Sequence, residues 1–352
     1  MRLLKRLFVA IFVFGLVFST TQVYFAKIEN DSKVRLYGEE AAAENIKQKV
    51  DNELLFLLAG VDRNADGTVG DFSRSDTLML VKANANTGKI DILSIPRDSR
   101  VPIKGEFDKI NHAHAYGGIE LTMQTIRNFL GIDLDYYVQV DFEAVQKIVD
   151  ALGGFDYDVP SGVYVQRGES VNIEPGSQHL DGINTLWYLR TRYIYQNGDI
   201  GRVNAQQKFI KDTVDQIVEK FSAMNIPSFI NTYLKDVKTN IPLSTILKMS
   251  SNIKKFSSSK VNTYAVTGFE QTINGTSYYI PDYNKAWQIR DKIFKDYIWD
   301  KWDKEESGYL EYQNYFDNQD DLSNDTDKNQ NIDYNYDNKE GGYYNQQNSY
   351  NN

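Results

Sequence analysis

Residues 54–61, Leu54-Leu55-Phe56-Leu57-Leu58-Ala59-Gly60-Val61, form an unbroken apolar run that stops at the polar pair Asp62-Arg63. A strand with one wet face alternates apolar and polar residues, whereas a strand covered on both faces reads as a continuous apolar run. The run therefore predicts a central strand with helices packed above and below it. The segments that follow agree. Residues 76–82 and 89–95 are strand-like and flank Asn84-Ala85-Asn86-Thr87-Gly88, whose residue types suit a hairpin turn. Residues 119–130 carry apolar side chains at helical spacing, 136–140 are strand-like, and 142–152 are helical before Gly153-Gly154. Helices are also predicted over 209–221, 246–256 and 284–298, with a strand over 261–266. The alternation predicts an α/β fold, a mixed central β-sheet flanked by helices in an αβα sandwich.

The ends of the chain differ from this body. Arg2, Lys5 and Arg6 precede an apolar run over 7–18, which reaches the roughly 20 residues of a membrane span only when residues 19–26 are added. No small-x-small cleavage pattern follows Phe18, so the segment reads as an uncleaved signal-anchor, with a cleaved signal peptide as the alternative. The basic flank then keeps residues 1–6 cytoplasmic and places the rest of the chain outside the cell membrane. Residues 27–52 suit a polar stalk. From Asp303 onward twelve acidic residues face three lysines, which accounts for the whole formal charge of −9 and leaves residues 1–302 neutral. The expected division is 1–26 cytoplasmic stub and transmembrane anchor, 27–52 stalk, 53–302 extracytoplasmic domain, and 303–352 an acidic, Asn- and Tyr-rich disordered tail, with the aromatic stretch Tyr309 to Phe316 packing back on the domain as the alternative.

The chain has no cysteine, which excludes disulfides, thiolate catalysis and thiolate metal sites. The chemistry-bearing residues gather in loops at predicted strand ends: Asp62-Arg63, Arg74-Ser75-Asp76, Pro96-Arg97-Asp98, Asp108-Lys109, Arg190-Thr191-Arg192 and Gly201-Arg202. Taken singly these are solvated ion pairs. Ligands of open α/β sheets, however, bind outside the carboxyl ends of strands, and six arginines with a lysine exceed what one monophosphate requires. Two aspartates among those arginines would repel a phosphate unless a divalent cation joined them, so Asp62 and Asp76 read as ligands of Mg²⁺, with Mn²⁺ as a substitute. If residues 189–193 are extended, Arg190 and Arg192 share a face. Gly201 to Gln206 opens the following helix, whose N-terminus favours phosphate, with Arg202 and Gln206 one turn apart on one side.

These segments, together with Ser94-Ile95-Pro96-Arg97-Asp98, Lys109-Ile110-Asn111-His112-Ala113, Ala115-Tyr116-Gly117-Gly118, His179-Leu180-Asp181-Gly182 and Gln206-Gln207, resemble the LytR-CpsA-Psr family over residues 54–298. The resemblance implies an extracytoplasmic phosphotransferase that moves teichoic acid, capsular polysaccharide or a similar polymer from undecaprenyl pyrophosphate to peptidoglycan. It implies Asp62 and Asp76 as Mg²⁺ ligands, and Arg74, Arg97, Lys109, Arg190, Arg192 and Arg202 with Gln206 as pyrophosphate contacts. Arg63 of the first loop joins that set. The chain departs from the family pattern at Ala205, where members often carry a basic residue just before the Gln pair.

A phosphotransferase of this kind needs positioning and charge neutralisation more than covalent chemistry. Asp98 and Asp199 are the candidate general bases. His112 and His114 read as structural, because zinc sites need three or four N or S ligands. The apolar stripes of 119–130 and 142–152 suit either a groove for a polyprenyl tail or ordinary core. Nucleotide-binding glycine loops and the Gly-x-Ser-x-Gly elbow are absent. The neutral body argues against a nucleic-acid partner. The remaining alternatives are a polyprenyl-pyrophosphate hydrolase and a non-enzymatic membrane-bound regulator of the cell envelope.

Overall fold

The apolar run becomes β1 (Glu53–Val61), and its neighbours account for its composition. The computed structural model describes residues 52–62, 73–168, 170–195, 198–223, 237–300 and 302–313. β1 lies beside β2 (Ser75–Asn84), which turns into β3 (Lys89–Ser94). The hairpin β4 (Arg100–Ile103) and β5 (Glu106–Lys109) leads into α1 (His112–Leu130), then β6 (Tyr136–Asp141) and α2 (Phe142–Ala151). Four short strands follow, β7 (Phe155–Val159), β8 (Val165–Arg167), β9 (Val171–Ile173) and β10 (Gly176–Leu180), then α3 (Gly182–Arg190) and α4 (Gly198–Ala223). The described chain continues through β11 (Val237–Thr239), α5 (Leu243–Ser250), β12 (Val261–Ala265), β13 (Gly268–Ile273), β14 (Thr276–Pro281) and α6 (Tyr283–Ile293).

The central sheet has six strands in the order β11-β6-β1-β2-β3-β12. β1 pairs in parallel with β6 and antiparallel with β2, β2 and β3 are antiparallel, β12 runs parallel to β3, and β11 antiparallel to β6. Thus β1, β3, β6 and β12 run one way, and their carboxyl ends share an edge with the start of β2. The sandwich predicted from β1 is present. Leu55, Leu57 and Ala59 join a cluster with Met123, Ile126 and Phe129 of α1 and Trp287 of α6. Phe56 and Leu58 pack in another with Met79, Ile92 and, from α4, Ile210 and Val214.

The apolar stripes of α1 and α2 are core. Ile119, Met123, Ile126 and Phe129 lie in the first cluster. Val149 and Leu152 belong to a separate cluster that α2 builds with β7 to β10, α3 and Tyr195, Ala205 and Phe209. Several helix bounds differ from the apolar periodicity. α4 starts at Gly198, just ahead of the expected opening at Gly201 and well before the apolar pattern over 209–221, because its first turns carry polar residues, and α5 stops at Ser250 before a 3₁₀ turn over Ile253–Lys255.

The expected anchor, the stalk up to residue 51 and the tail beyond residue 313 lie outside the described residues. No helix among the described residues is long and apolar enough to cross a membrane. At the C-terminal side, packing continues past residue 302, where the acidic composition suggested that the domain ends. Tyr309 and Tyr312 lie against the first core cluster. The Tyr309 ring sits 4.7 Å from that of Trp287, the buried Tyr283 hydroxyl donates to Ser307 O (2.9 Å), and Glu311 pairs with Arg100 at 2.5 Å. Aromatic contact area outweighs the local excess of acidic charge here. A chain ending at Trp302 should melt about 5–10 °C below one ending at Asp317, the shift expected when a few kcal/mol of burial is removed. Equal melting temperatures would show that the segment contributes nothing to stability.

Candidate functional site

The site begins with a break in strand register. Gly60 pairs with Thr77 but Val61 pairs with Ser75, so Asp76 is an extra residue bulged out of β2. Bulges re-aim a side chain and bend the strand. The loop is closed below by Asp62 N–H donating to Arg74 O at 3.1 Å. Asp76 thus leaves the sheet at the edge where β1, β3 and β6 end.

Beyond β3, the Arg97-Asp98 loop is held from two sides. Asn111 N–H donates to Arg97 O (3.1 Å), and Tyr279 N–H of β14 donates to Asp98 O (2.9 Å). The Arg97 guanidinium donates to the Asp76 carboxylate, and its Nε lies 3.5 Å from Asp199 Oδ1 and 3.7 Å from Asp98 Oδ2. Lys109 Nζ approaches the other Asp98 oxygen at 3.1 Å.

α4 supplies the third wall. Arg202 Nη2 lies 2.6 Å from Asp199 Oδ1 and donates to the bulged carbonyl of Asp76 at 3.0 Å. One turn on, Gln206 Nε2 donates to Thr77 Oγ1 (3.2 Å) and Leu189 O (2.9 Å), while Gln207 Nε2 donates to Ser94 Oγ (2.8 Å) and Tyr264 O (2.7 Å). The two glutamines lock the helix to β2, β3, β12 and the end of α3. Gly201, in the first turn of α4, lets Tyr195 pack against the helix, since a Cβ at that position would lie 2.3 Å from Tyr195 Cβ.

Arg190 and Arg192 do not share an extended face. Arg190 is the last residue of α3, so helical geometry sets its direction. Its guanidinium stacks 3.6 Å from the Phe142 ring centroid and lies 3.9 Å from Asp62 Oδ2. Arg192 is exposed in the following loop, within electrostatic reach of Asp199 and Arg202. Arg74 is exposed ahead of β2. Arg63 lies outside the described residues. Ala205 is buried in the second core cluster, so that side of the helix serves packing.

Asp76, Asp98 and Asp199 balance Arg97, Arg202 and Lys109. Outside that neutral network stand Arg74, Arg190 and Arg192 with Asp62, an excess of positive charge at the sheet edge. Burial raises the Asp199 carboxyl above the usual range, against Arg202 and Arg97, which pull it down. Burial lowers the Arg202 guanidinium from its ordinary value, and Asp199 opposes that. For Arg97 burial is again the largest effect and acts downward, but Asp76, Asp199 and Asp98 together outweigh it and raise the guanidinium. The Nε groups of Arg97 and Arg202 and both Asp199 oxygens are buried without a well-aligned hydrogen-bond partner. Ion pairing neutralises these groups while leaving hydrogen-bonding capacity unfilled.

No cluster of three or more His, Asp or Glu side chains able to enclose a metal ion forms among the described residues. The donor set does fit a cation that takes one or two protein carboxylates and fills its shell with phosphate oxygens and water. Asp62 follows β1 directly and Asp76 is the bulged residue of β2 beside it, and Asp62 Oδ2 lies 3.9 Å from Arg190 Nη2.

The loop motifs named Asp108 only beside Lys109, His112 read as structural and Tyr116 stood only in a family segment, whereas the structure joins all three. Asp108 Oδ2 accepts from Tyr116 OH at 2.6 Å and lies 2.8 Å from His112 Nδ1. The signal available was the i, i+4 spacing of 108, 112 and 116. His114, by contrast, is buried, with Nδ1 2.7 Å from Ser73 O, and is structural.

The buried Arg202–Asp199 pair generates a stability prediction. Arg202→Met should destabilise the chain by about 3–5 kcal/mol, because it strands a buried carboxylate, and adding Asp199→Asn should recover part of that loss. Chemical denaturation of the two single variants and the double variant checks this. Strictly additive losses would mean the two side chains do not act as a pair.

The comparisons with known proteins agree with this geometry. A model of the LytR_cpsA_psr family matches residues 13–295. The chain is 31% identical over 244 residues to the polyisoprenyl-teichoic acid–peptidoglycan teichoic acid transferase TagV of Bacillus subtilis; the match covers 66% of this chain and 62% of TagV. The crystal structure of B. subtilis TagV superposes with a TM-score of 0.60 at 29% identity, covering 70% of this chain and 98% of that one. A structure of TagT bound to LI-WTA superposes with a TM-score of 0.57 at 27% identity, covering 72% and 95%. With a family match over most of its length, the chain belongs to the LytR-CpsA-Psr family.

Proposed function

We propose that this protein transfers a glycopolymer from a polyprenyl pyrophosphate carrier to peptidoglycan, working outside the cell membrane from a single N-terminal anchor. One observation carries the reading. A neutral lattice of three carboxylates and three cations is bordered by Arg74, Arg190 and Arg192, and two of its buried guanidinium groups keep an unused Nε donor. Such a site gains most from a ligand with two adjacent negative groups, and a pyrophosphate is one.

In the reaction a sugar hydroxyl of peptidoglycan attacks the phosphorus nearest the polymer. The new bond is from that oxygen to phosphorus, and the broken bond is from the phosphorus to the bridging oxygen, which leaves with the polyprenyl phosphate. Arg97, Lys109 and Arg202 bind the pyrophosphate from the side of β3, β5 and α4, while Arg74, Arg190 and Arg192 bind it from the solvent side. Arg63 completes the donor set, while Gln206, expected as a contact, has both amide N–H groups taken by Thr77 and Leu189 and fixes α4 in place behind Arg202. The lattice keeps these cations in place before substrate arrives, so little reorganisation is needed as charge develops. Mg²⁺ bound by Asp62 and Asp76 would neutralise phosphate charge. TagV and its relatives are named as teichoic acid transferases, which supports a teichoic acid as the polymer.

The test is transfer by the full-length chain of a radiolabelled polymer from a polyprenyl pyrophosphate to isolated peptidoglycan. Asp76→Asn should lower transfer about 100-fold or more, with the melting temperature within about 2 °C of the parent, because a bulged loop carboxylate serves the site more than the core. Equal transfer at limiting Mg²⁺ would remove Asp76 from the metal site, and release of free polymer with none on peptidoglycan would make the protein a hydrolase. Arg97→Lys should bind a polyprenyl pyrophosphate more tightly than Arg97→Ala but less tightly than the parent, since lysine keeps the charge and loses the fork. Calorimetric titration distinguishes the three, and identical affinities would return Arg97 to a structural ion pair.

A further inference from the structure

We infer that His112, oriented by Asp108, is the base that takes the proton from the attacking hydroxyl, an inference that rests on the transfer reading above. The two carboxylates that sequence alone offers for this role are both committed. Asp98 faces Lys109 at 3.1 Å and Arg97 at 3.7 Å, and Asp199 lies between Arg202 at 2.6 Å and Arg97 at 3.5 Å. Protonating Asp98 would leave those cations unbalanced, and although burial raises the Asp199 carboxyl, both of its oxygens are buried behind the two guanidinium groups rather than open to an incoming hydroxyl.

The Asp108 group is arranged differently. Its carboxylate accepts from three neutral or titratable donors: Lys109 N–H on Oδ1 (2.7 Å), and Tyr116 OH (2.6 Å) and His112 Nδ1–H (2.8 Å) on Oδ2. Burial acts to raise the Asp108 carboxyl, but those hydrogen bonds outweigh it and hold it below its ordinary value, so the group is ionised. An ionised carboxylate on Nδ1 fixes the imidazole tautomer and leaves Nε2 as the acceptor. Nε2 has no hydrogen-bond partner among the described residues, and the side chain is 22% exposed.

The backbone is built around this triad. α1 is broken after Tyr116, where Gly118 takes φ 67° and ψ −157°, a conformation closed to residues with a Cβ. Residues 112–116 therefore form a separate turn, while 119–130 pack on the sheet. That turn adjoins the cation cluster: Asn111 N–H holds Arg97 O, Lys109 reaches Asp98, and Arg74 lies within electrostatic reach of Tyr116. The groups around His112 are Asp108 and Lys109 from β5, Tyr116 on its own turn, Arg74 ahead of β2, and Tyr278 on β14, whose ring lies 5.8 Å from Lys109 Nζ.

In the step, the acceptor O–H bond breaks as its oxygen bonds to phosphorus, and the proton passes to His112 Nε2. The electron pair of the cleaved phosphorus–oxygen bond leaves with the polyprenyl phosphate. Asp108 stays ionised and stabilises the imidazolium.

The test uses the full chain with a polyprenyl-pyrophosphate-linked disaccharide as donor and isolated peptidoglycan as acceptor. His112→Gln should keep donor affinity within about twofold and lower kcat by about 100-fold or more, the usual contribution of a general base. The parent's kcat should carry an acid limb, because imidazolium cannot accept a proton, and that limb should be missing in the variant. Asp108→Asn, which preserves an acceptor for Tyr116, covers the case in which His112→Gln fails to fold. It should lose about tenfold or more in kcat at unchanged donor affinity. A His112→Gln chain with the parent's rate or its acid limb, a loss of donor affinity that matches the loss of rate, or an Asp108→Asn chain with the parent's kcat overturns the assignment. If the parent neither binds the donor nor transfers it, the transfer reading fails instead.

Discussion

The bulge at Asp76 is the feature on which the site depends. A regular ladder would return residue 76 to the sheet, opposite a residue of β1. The register shift between Gly60 and Val61 instead frees both its carboxylate and its carbonyl. Arg97 takes the carboxylate and Arg202 the carbonyl, so one residue ties the loop after β3 to the start of α4. Because β1, β3 and β6 run in the same direction, Asp62, Arg97 and Phe142 all emerge at the same edge. The parallel topology brings the loops together, and the bulge joins them.

The cost of this arrangement falls on α4. Arg202 and Asp199 are largely desolvated, and each shifts the other against the effect of burial. A pair of this kind contributes little net stability relative to a well-packed apolar pair. Together with Arg97, it leaves two guanidinium Nε donors unfilled at the sheet edge. Donors held in place before the ligand arrives are where electrostatic catalysis gains most, because no reorganisation is needed when charge develops.

Much of this was legible in the sequence. β1 declared a covered central strand, the 76–95 hairpin and α1, β6 and α2 followed from periodicity, and the Arg/Asp loops marked the edge where the site lies. Three parts were not legible, for different reasons. β7 to β10 have only three to five residues each, too few for a period to emerge, although Phe155, Tyr157 and Val159 do alternate with two aspartates. Arg190 and Arg192 have strand-like spacing, but α3 ends between them, and a helix end cannot be located to within a residue from pattern alone. For 303–313 acidic charge set the expected boundary at 302, and the aromatic face of Tyr309 and Tyr312 toward Tyr283 and Trp287 was only the alternative, because net composition weighs charge and not aromatic contact.

The departure at Ala205 follows from how α4 divides its surface. Arg202 and Gln206, four apart, face the bulge and the end of α3. Ala205 and Phe209, also four apart, pack in the second core with Tyr195 and Tyr157. Ile210 and Val214 turn to the sheet and cover Met79 and Ile92. About 100° of rotation separates neighbouring positions on a helix, so a residue at 205 looks away from the direction that 206 occupies. A lysine there would have to extend out of an apolar cluster to reach a phosphate, whereas alanine closes the cluster around Phe209. In this chain Arg202 and Gln206 hold the helix against the bulge and the end of α3, and the position before the Gln pair is given to packing.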